Sequence, residues 1–209
     1  MQSRPSSFII ALGLVLTGVG GAFLPWIWHE SVALQLTGPG LAEFVKFLPQ
    51  IRTGQVAIER LFFLLPLFLA MLALPLFAVN QALRLPSWLG WLMRLAVIPL
   101  ALAGLSPVWT PAILIAPEFR LQTLLAVTAI GLSLAAPLLK NLPLKPLVIL
   151  LIIAVLAALI LPYWQFSLVQ ADVAEAYDQP VSLSWGWWLT VGGLVLSMIG
   201  GAWATIPTR

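Results

Sequence analysis

Apolar residues occupy this chain in long blocks, and most of the charged residues fall in the stretches between them. A bilayer's hydrocarbon core is about 30 Å thick and takes about 20 apolar residues of helix to cross. Six blocks meet that length, at 8–25, 60–79, 90–108, 121–139, 146–163 and 185–204. The pattern predicts an all-α fold, a polytopic transmembrane bundle in which 1–209 form a single membrane domain. The third block is the least regular, because Arg94 lies inside it and Pro99 interrupts it. An arginine can snorkel to the near interface, and a proline kinks a membrane helix without forbidding it. The first block, with Arg4 ahead of it, also fits a signal-peptide layout. Its near-spanning length, the pair Trp26 and Trp28 after it and the lack of an A-x-A cleavage site favour a retained helix.

The longest polar stretch, from about Trp26 to Glu59, has a periodicity of its own. Leu41, Phe44, Val45, Leu48 and Ile51 fall at helical spacing, while Glu43, Lys46 and Gln50 take the opposite face. Gly38-Pro39-Gly40 breaks the chain ahead of it. This predicts a short amphipathic helix in the first outer loop, lying on the membrane surface or on the bundle. A second outer loop, from Gln165 to Ser184, carries Asp172, Glu175 and Asp178 without a basic residue.

Placing the charges alternately on the two sides of six spans separates them. One side receives Arg4, Arg84, Arg94, Lys140, Lys145 and Arg209; the other receives Lys46, Arg52, Arg60, Arg120 and every acidic residue. Lys and Arg in short loops mark the cytoplasmic side, so both termini are expected there. The three spans that then run outward end alike, in Leu24-Pro25-Trp26-Ile27-Trp28, Leu105-Ser106-Pro107-Val108-Trp109 and Leu161-Pro162-Tyr163-Trp164. Proline stops a helix and an aromatic ring settles among headgroups, so Trp26, Trp28, Trp109, Trp164, Trp185, Trp187 and Trp188 are expected as interfacial anchors. Whether the three endings are copies of one hairpin or the common chemistry of membrane borders is left open by the sequence.

Composition sharpens this picture. The chain is 61% hydrophobic and 8% charged, with a mean hydropathy of +1.05, far from the usage of soluble domains. Its net charge of +3 comes from ten basic residues scattered singly, which makes no nucleic-acid footprint. Without cysteine there is no thiolate nucleophile, disulfide, Cys-ligated zinc or iron–sulfur cluster.

Candidate chemistry is sparse. His29 is the only histidine, which rules out H-E-x-x-H and histidine-rich metal sites, and the pair His29-Glu30 reads best as interfacial polar residues. Asp172, Glu175 and Asp178 have a spacing that could hold a hard cation, although a solvated loop explains them more simply. Glu59-Arg60 and Glu118-Arg120 stand at corresponding span ends. With Glu43 and Lys46 they are candidates for pairing or for contacts with a partner, and exposed pairs need no special purpose. The spans carry no convincingly buried acid, lysine, arginine or histidine, which disfavours ion-coupled transport. No catalytic, cofactor or metal site is expected, and the chain is not expected to be an enzyme.

Small residues supply the packing signal. Gly13, Thr17 and Gly21 in the first span, and Gly193, Ser197 and Gly201 in the last, recur at four-residue spacing and let backbones approach closely. These spans are expected to pack on each other or on a partner subunit. Pro66 and Pro75 in the second span read as a static kink or as an opening to the bilayer. The expectation is a non-catalytic, multi-pass subunit of a larger membrane complex, in the bacterial inner membrane, with lipid and other membrane subunits as partners and no nucleic acid. The alternative is a binding or transport protein for an uncharged lipophilic molecule, held by Trp88, Trp91, Trp185, Trp187 or Trp188.

Overall fold

A computed structural model describes residues 5–30 and 35–206, so Arg4 and Arg209, placed above by charge, lie outside the described residues. The described chain is all-helical, with only isolated backbone bridges and no strand. Its elements are α1 (Pro5–Phe23), α2 (Gly38–Phe44), α3 (Pro49–Arg52), α4 (Leu65–Val79), α5 (Ser87–Ala103), α6 (Pro111–Leu114), α7 (Arg120–Ala135), α8 (Leu144–Tyr177) and α9 (Trp185–Ala204). A 3₁₀ segment, Arg60–Leu64, leads into α4, and another, Ala136–Leu139, extends α7. Five helical segments are long and apolar enough to cross a membrane: Pro5–Phe23, Arg60–Val79, Arg120–Leu139, Leu144–Tyr177 and Trp185–Ala204. The expected third span becomes α5, shorter at 17 residues and starting and ending earlier than the sequence implied. Pro99 sits inside it without ending it.

Helix α4 is the axis of the bundle. From Leu61 in its lead-in to Val79 there is no polar side chain, so α4 has no face to offer water, and α1, α5, α7 and α8 all pack on it. Leu67, Ala70, Met71 and Leu74 are fully enclosed. Helix α8 is as apolar through its first half, yet Ile149, Leu150, Ile153 and Ile160 face outward. Lipid tails are as apolar as a protein core, so the same composition serves either surroundings.

Two sequence expectations are corrected here. Pro162 does not stop its helix: α8 runs through it for 34 residues to Tyr177. At 1.5 Å per residue that is about 51 Å, against a hydrocarbon core of about 30 Å. Proline removes one donor, aimed at the carbonyl four residues back, and the remaining ladder carries the helix on. Asp172 and Glu175 therefore lie on a helix and not in a loop. Asp178 ends it in the left-handed conformation (φ 51°), and the Gln179 N–H donates to the Ala174 carbonyl at 3.1 Å.

The projecting part of α8 joins the segment after α1 in a packed cap over one end of the bundle. Thr37 caps α2 by accepting from the Gly40 N–H, and Leu41, Val45 and Leu48 turn inward as the periodicity required. Of the two placements expected for this amphipathic segment, the structure has it on the bundle, where α2 packs on α1 and on the segment leading into α4. Backbone bonds tie the cap's edges together. Ile27 bridges to Leu36 and Leu183, and the Ser184 N–H donates to the Trp26 carbonyl at 2.7 Å.

Candidate functional site

The cap gathers most of the charge. The Arg60 guanidinium, its side chain 11% exposed, donates to Glu43 Oε1 at 3.0 Å, Gln122 Oε1 at 3.2 Å and the Glu118 carbonyl at 2.5 Å. Lys46 Nζ lies 2.5 Å from Glu43 Oε2 and 2.7 Å from Glu118 Oε1. Both cations also lie over the Phe119 ring, each 4.8 Å from its centre. Two cations, two carboxylates and one aromatic face thus form a closed, charge-balanced cluster joining α2, the entry to α4 and the start of α7. Glu59 stands beside it and caps the segment leading into α4, its carboxylate accepting from the Leu61 N–H at 3.2 Å while its own N–H donates to Gln165 Oε1 at 2.9 Å. Gln122 and Gln165, both buried, were not singled out by sequence reasoning. Gln122, a glutamine inside an apolar block two residues past Arg120, carried a signal that could have found it, whereas Gln165 stood at the start of an expected loop and carried none.

Of the six candidate partner-contact residues, Glu43, Lys46, Arg60 and Glu118 are joined to one another, and Glu59 is turned to capping. Arg120 is exposed at the start of α7. His29 is half-buried with its ring 5.6 Å from that of Tyr177, edge-on, and Glu30 is exposed. Among the described residues no group of three or more His, Asp or Glu is placed to hold a metal ion.

The tryptophans divide. Trp28, Trp109, Trp164, Trp185 and Trp188 are each at least half exposed, compatible with seats among headgroups. Trp26 and Trp187 are not anchors but core, 1% and 3% exposed. Their rings meet edge to face with centres 4.8 Å apart, and Trp26 Nε1 donates to the Gly20 carbonyl at 3.1 Å. An indole at a span border reads as an anchor from sequence, and its burial here depends on a second indole far along the chain.

Helices α1 and α9 lie antiparallel against one another. A methyl group added at Gly13 would strike Ser197, one at Gly193 would strike Thr17, one at Gly20 Thr190 and one at Gly200 Ile10. Gly186 packs on the backbone of Leu24 and Pro25, and Thr190 is fully buried. The contact therefore follows Ile10, Gly13, Thr17 and Gly20 against Gly200, Ser197, Gly193 and Thr190, with alternating steps of three and four. Gly21 and Gly201, expected on this seam at a strict step of four, face elsewhere. Gly21 lies against Pro66 and Leu67 of α4, and Gly201 against Val148 and Leu151 of α8. With 3.6 residues per turn a strict four-residue stripe drifts off the seam.

Polar ties also hold the opposite end of the bundle. Ser7 Oγ donates to the Leu83 carbonyl at 2.5 Å, Asn80 Nδ2 to the Leu142 carbonyl at 2.9 Å and the Gln81 N–H to the Lys140 carbonyl at 3.1 Å. Two apolar grooves open on the flanks. One, about 590 Å³, runs between α1 and α5 past Leu12, Val15, Trp88 and Leu92. The other, about 240 Å³, lies between α4 and α8 past Leu72, Leu76 and Leu150.

Compared with protein-family models, curated proteins and solved structures, the chain matches none of them.

Proposed function

We propose that this protein is a non-catalytic subunit of a larger membrane assembly. In this reading α1, α4, α5, α7, α8 and α9 are six spans with both ends on the cytoplasmic side of a bacterial inner membrane, and the cap is offered to a partner outside. The observation that carries it is the construction of the cap. Loops that merely connect spans need no buried glutamines, closed ion cluster or helix continued far beyond bilayer thickness, whereas a docking platform needs a fixed shape. The exposed end of α8, with Glu175 and Asp178 outermost, gives that platform an acidic rim for a partner carrying basic or hydrogen-bond-donating groups. Purification from native membranes in mild detergent, with mass spectrometry of co-eluting protein and lipid, tests the proposal. A reproducible stoichiometric protein partner, lost when the cap is disrupted, is expected.

The groove between α1 and α5 favours one competing reading, a carrier or binding protein for an uncharged lipophilic molecule. It is walled almost wholly by apolar side chains, with Trp88 and Leu92 exposed beside it. A chain that purifies alone with one enriched small molecule, displaced by Leu92→Trp in the groove, would replace the subunit reading with this one.

A further inference from the structure

Arg94 is the one charged side chain set within the apolar length of α5. It lies seven residues past Ser87, about 10 Å along the helix. It does not simply trail toward the near end. Its Nε–H donates to the Ser133 carbonyl of α7 at 2.9 Å, and Ser133 Oγ donates back to the Arg94 carbonyl at 2.9 Å. Its guanidinium carbon lies 4.5 Å from the centre of the Trp91 ring. These contacts fix the guanidinium between two helices and a ring that is 58% exposed. Among the described residues, no acceptor stands against its two terminal nitrogens, which keep their N–H donors.

The surroundings supply no neutralising charge. All seven acidic residues lie in the cap, its connections or the outer end of α8, while Arg84, Lys140 and Lys145 surround the end of the bundle nearest Arg94. An oriented, half-buried cation with free donors, in an apolar helix pair and facing outward beside an exposed indole, is complementary to a phosphate approaching from the bilayer. Basic pockets between membrane helices recognise anionic headgroups by this chemistry.

We propose that Arg94, Trp91 and Ser133 form a binding site for the phosphate of an anionic glycerophospholipid, with its acyl chains along the exposed faces of α5 and α7, past Leu95, Ile98 and Val127. Ser133 and Trp91 are positioning residues and Arg94 is the ligand-contacting group. The site is independent of the partner proposed for the cap.

Native mass spectrometry of the detergent-purified protein, offered equal amounts of phosphatidylglycerol and phosphatidylcholine, tests it. The wild type is expected to retain phosphatidylglycerol preferentially. Arg94→Gln should weaken that preference about tenfold, the scale of one lost charge-assisted interaction. Arg94→Lys should keep part of it, and Arg84→Gln, at the same end but outside the α5–α7 contact, should leave it unchanged. Equal retention of the two lipids by the wild type overturns the proposal without reference to any variant. So does an Arg84→Gln loss as large as that of Arg94→Gln, which would mean a diffuse basic surface. Displacement of phosphatidylglycerol by millimolar sodium phosphate would assign the site to a free anion and overturn the lipid source.

Discussion

The close approach of α1 and α9 can be tested with two neighbouring glycines that differ only in what they face. A Cβ at Gly193 would lie 2.5 Å from Thr17 N and 2.7 Å from the Gly13 carbonyl oxygen, both backbone atoms that no side-chain rotation can move aside. Comfortable carbon contacts begin at about 3.5 Å, so Gly193→Ala must part the helices by roughly 1 Å or distort one of them. Overpacking of this kind costs about 1–3 kcal/mol. At Gly192 a Cβ meets nothing within 4 Å. Both substitutions gain the same helix-propensity advantage of alanine over glycine, about 1 kcal/mol, so it cancels in the comparison. The difference between the two variants isolates the seam, at about 1–3 kcal/mol. For a chain of this size each kcal/mol moves Tm by about 2–4 °C, which places Gly193→Ala roughly 2–12 °C below Gly192→Ala. Thermal unfolding of both in the same detergent, followed by tryptophan fluorescence, measures this. Equal melting temperatures would refute the argument that backbone-to-backbone contact holds α1 to α9.

Other outcomes follow from the same structure. Trp26→Ala should cost about 3–5 kcal/mol, since it empties a core site and removes the edge-to-face contact with Trp187, whereas exposed Trp28→Ala should be near neutral in the same melting assay. Arg60→Met should destabilise by about 1–3 kcal/mol because it strands buried Gln122 and unbalances Glu43 and Glu118; Lys46→Ala, on the more exposed side of the cluster, should cost under about 1 kcal/mol. The cysteine-free chain suits single-cysteine labelling. With the proposed orientation, Ala176→Cys should react with an impermeant maleimide on intact cells and Asn141→Cys only after permeabilisation, and the reverse pattern would invert the topology.

The periodic, nearly charge-free blocks made legible the all-helical fold and its five helices long and apolar enough to cross a membrane, because the length and composition of a span are local properties. The amphipathic α2 segment was legible for the same reason, with Leu41, Val45 and Leu48 recurring at helical spacing. What the sequence withheld depends on partners distant along the chain. Trp26 is core only because Trp187 folds against it, and Arg60 is neutralised by Glu43, with the Glu118 carboxylate farther off at 3.8 Å, and not by its neighbour Glu59. Gly13 and Gly193 stood out by their spacing, but the turn-by-turn drift that exchanges Gly21 for Gly20 and Gly201 for Gly200 is a property of the helix pair. Pro162 misled because proline is a strong stop signal in isolation and a tolerable gap in a long helix with neighbours. Nothing in the composition separated α4, which the bundle encloses, from α8, much of which faces outward.

The antiparallel seam also sets an order of events. The glycine face of α1 is made early, and the helix that fills it is made last among the described helices. At ribosomal rates of about 5–20 residues per second, the intervening stretch takes on the order of ten seconds or more to synthesise. In the proposed membrane arrangement, the backbone of α1 at Gly13 and Gly20 is covered throughout that interval only by lipid or by whatever small-residue helix is at hand. The bundle is therefore closed like a clasp, by its final helix. A nascent chain stalled before Trp185 would present its open groove to the rest of the membrane.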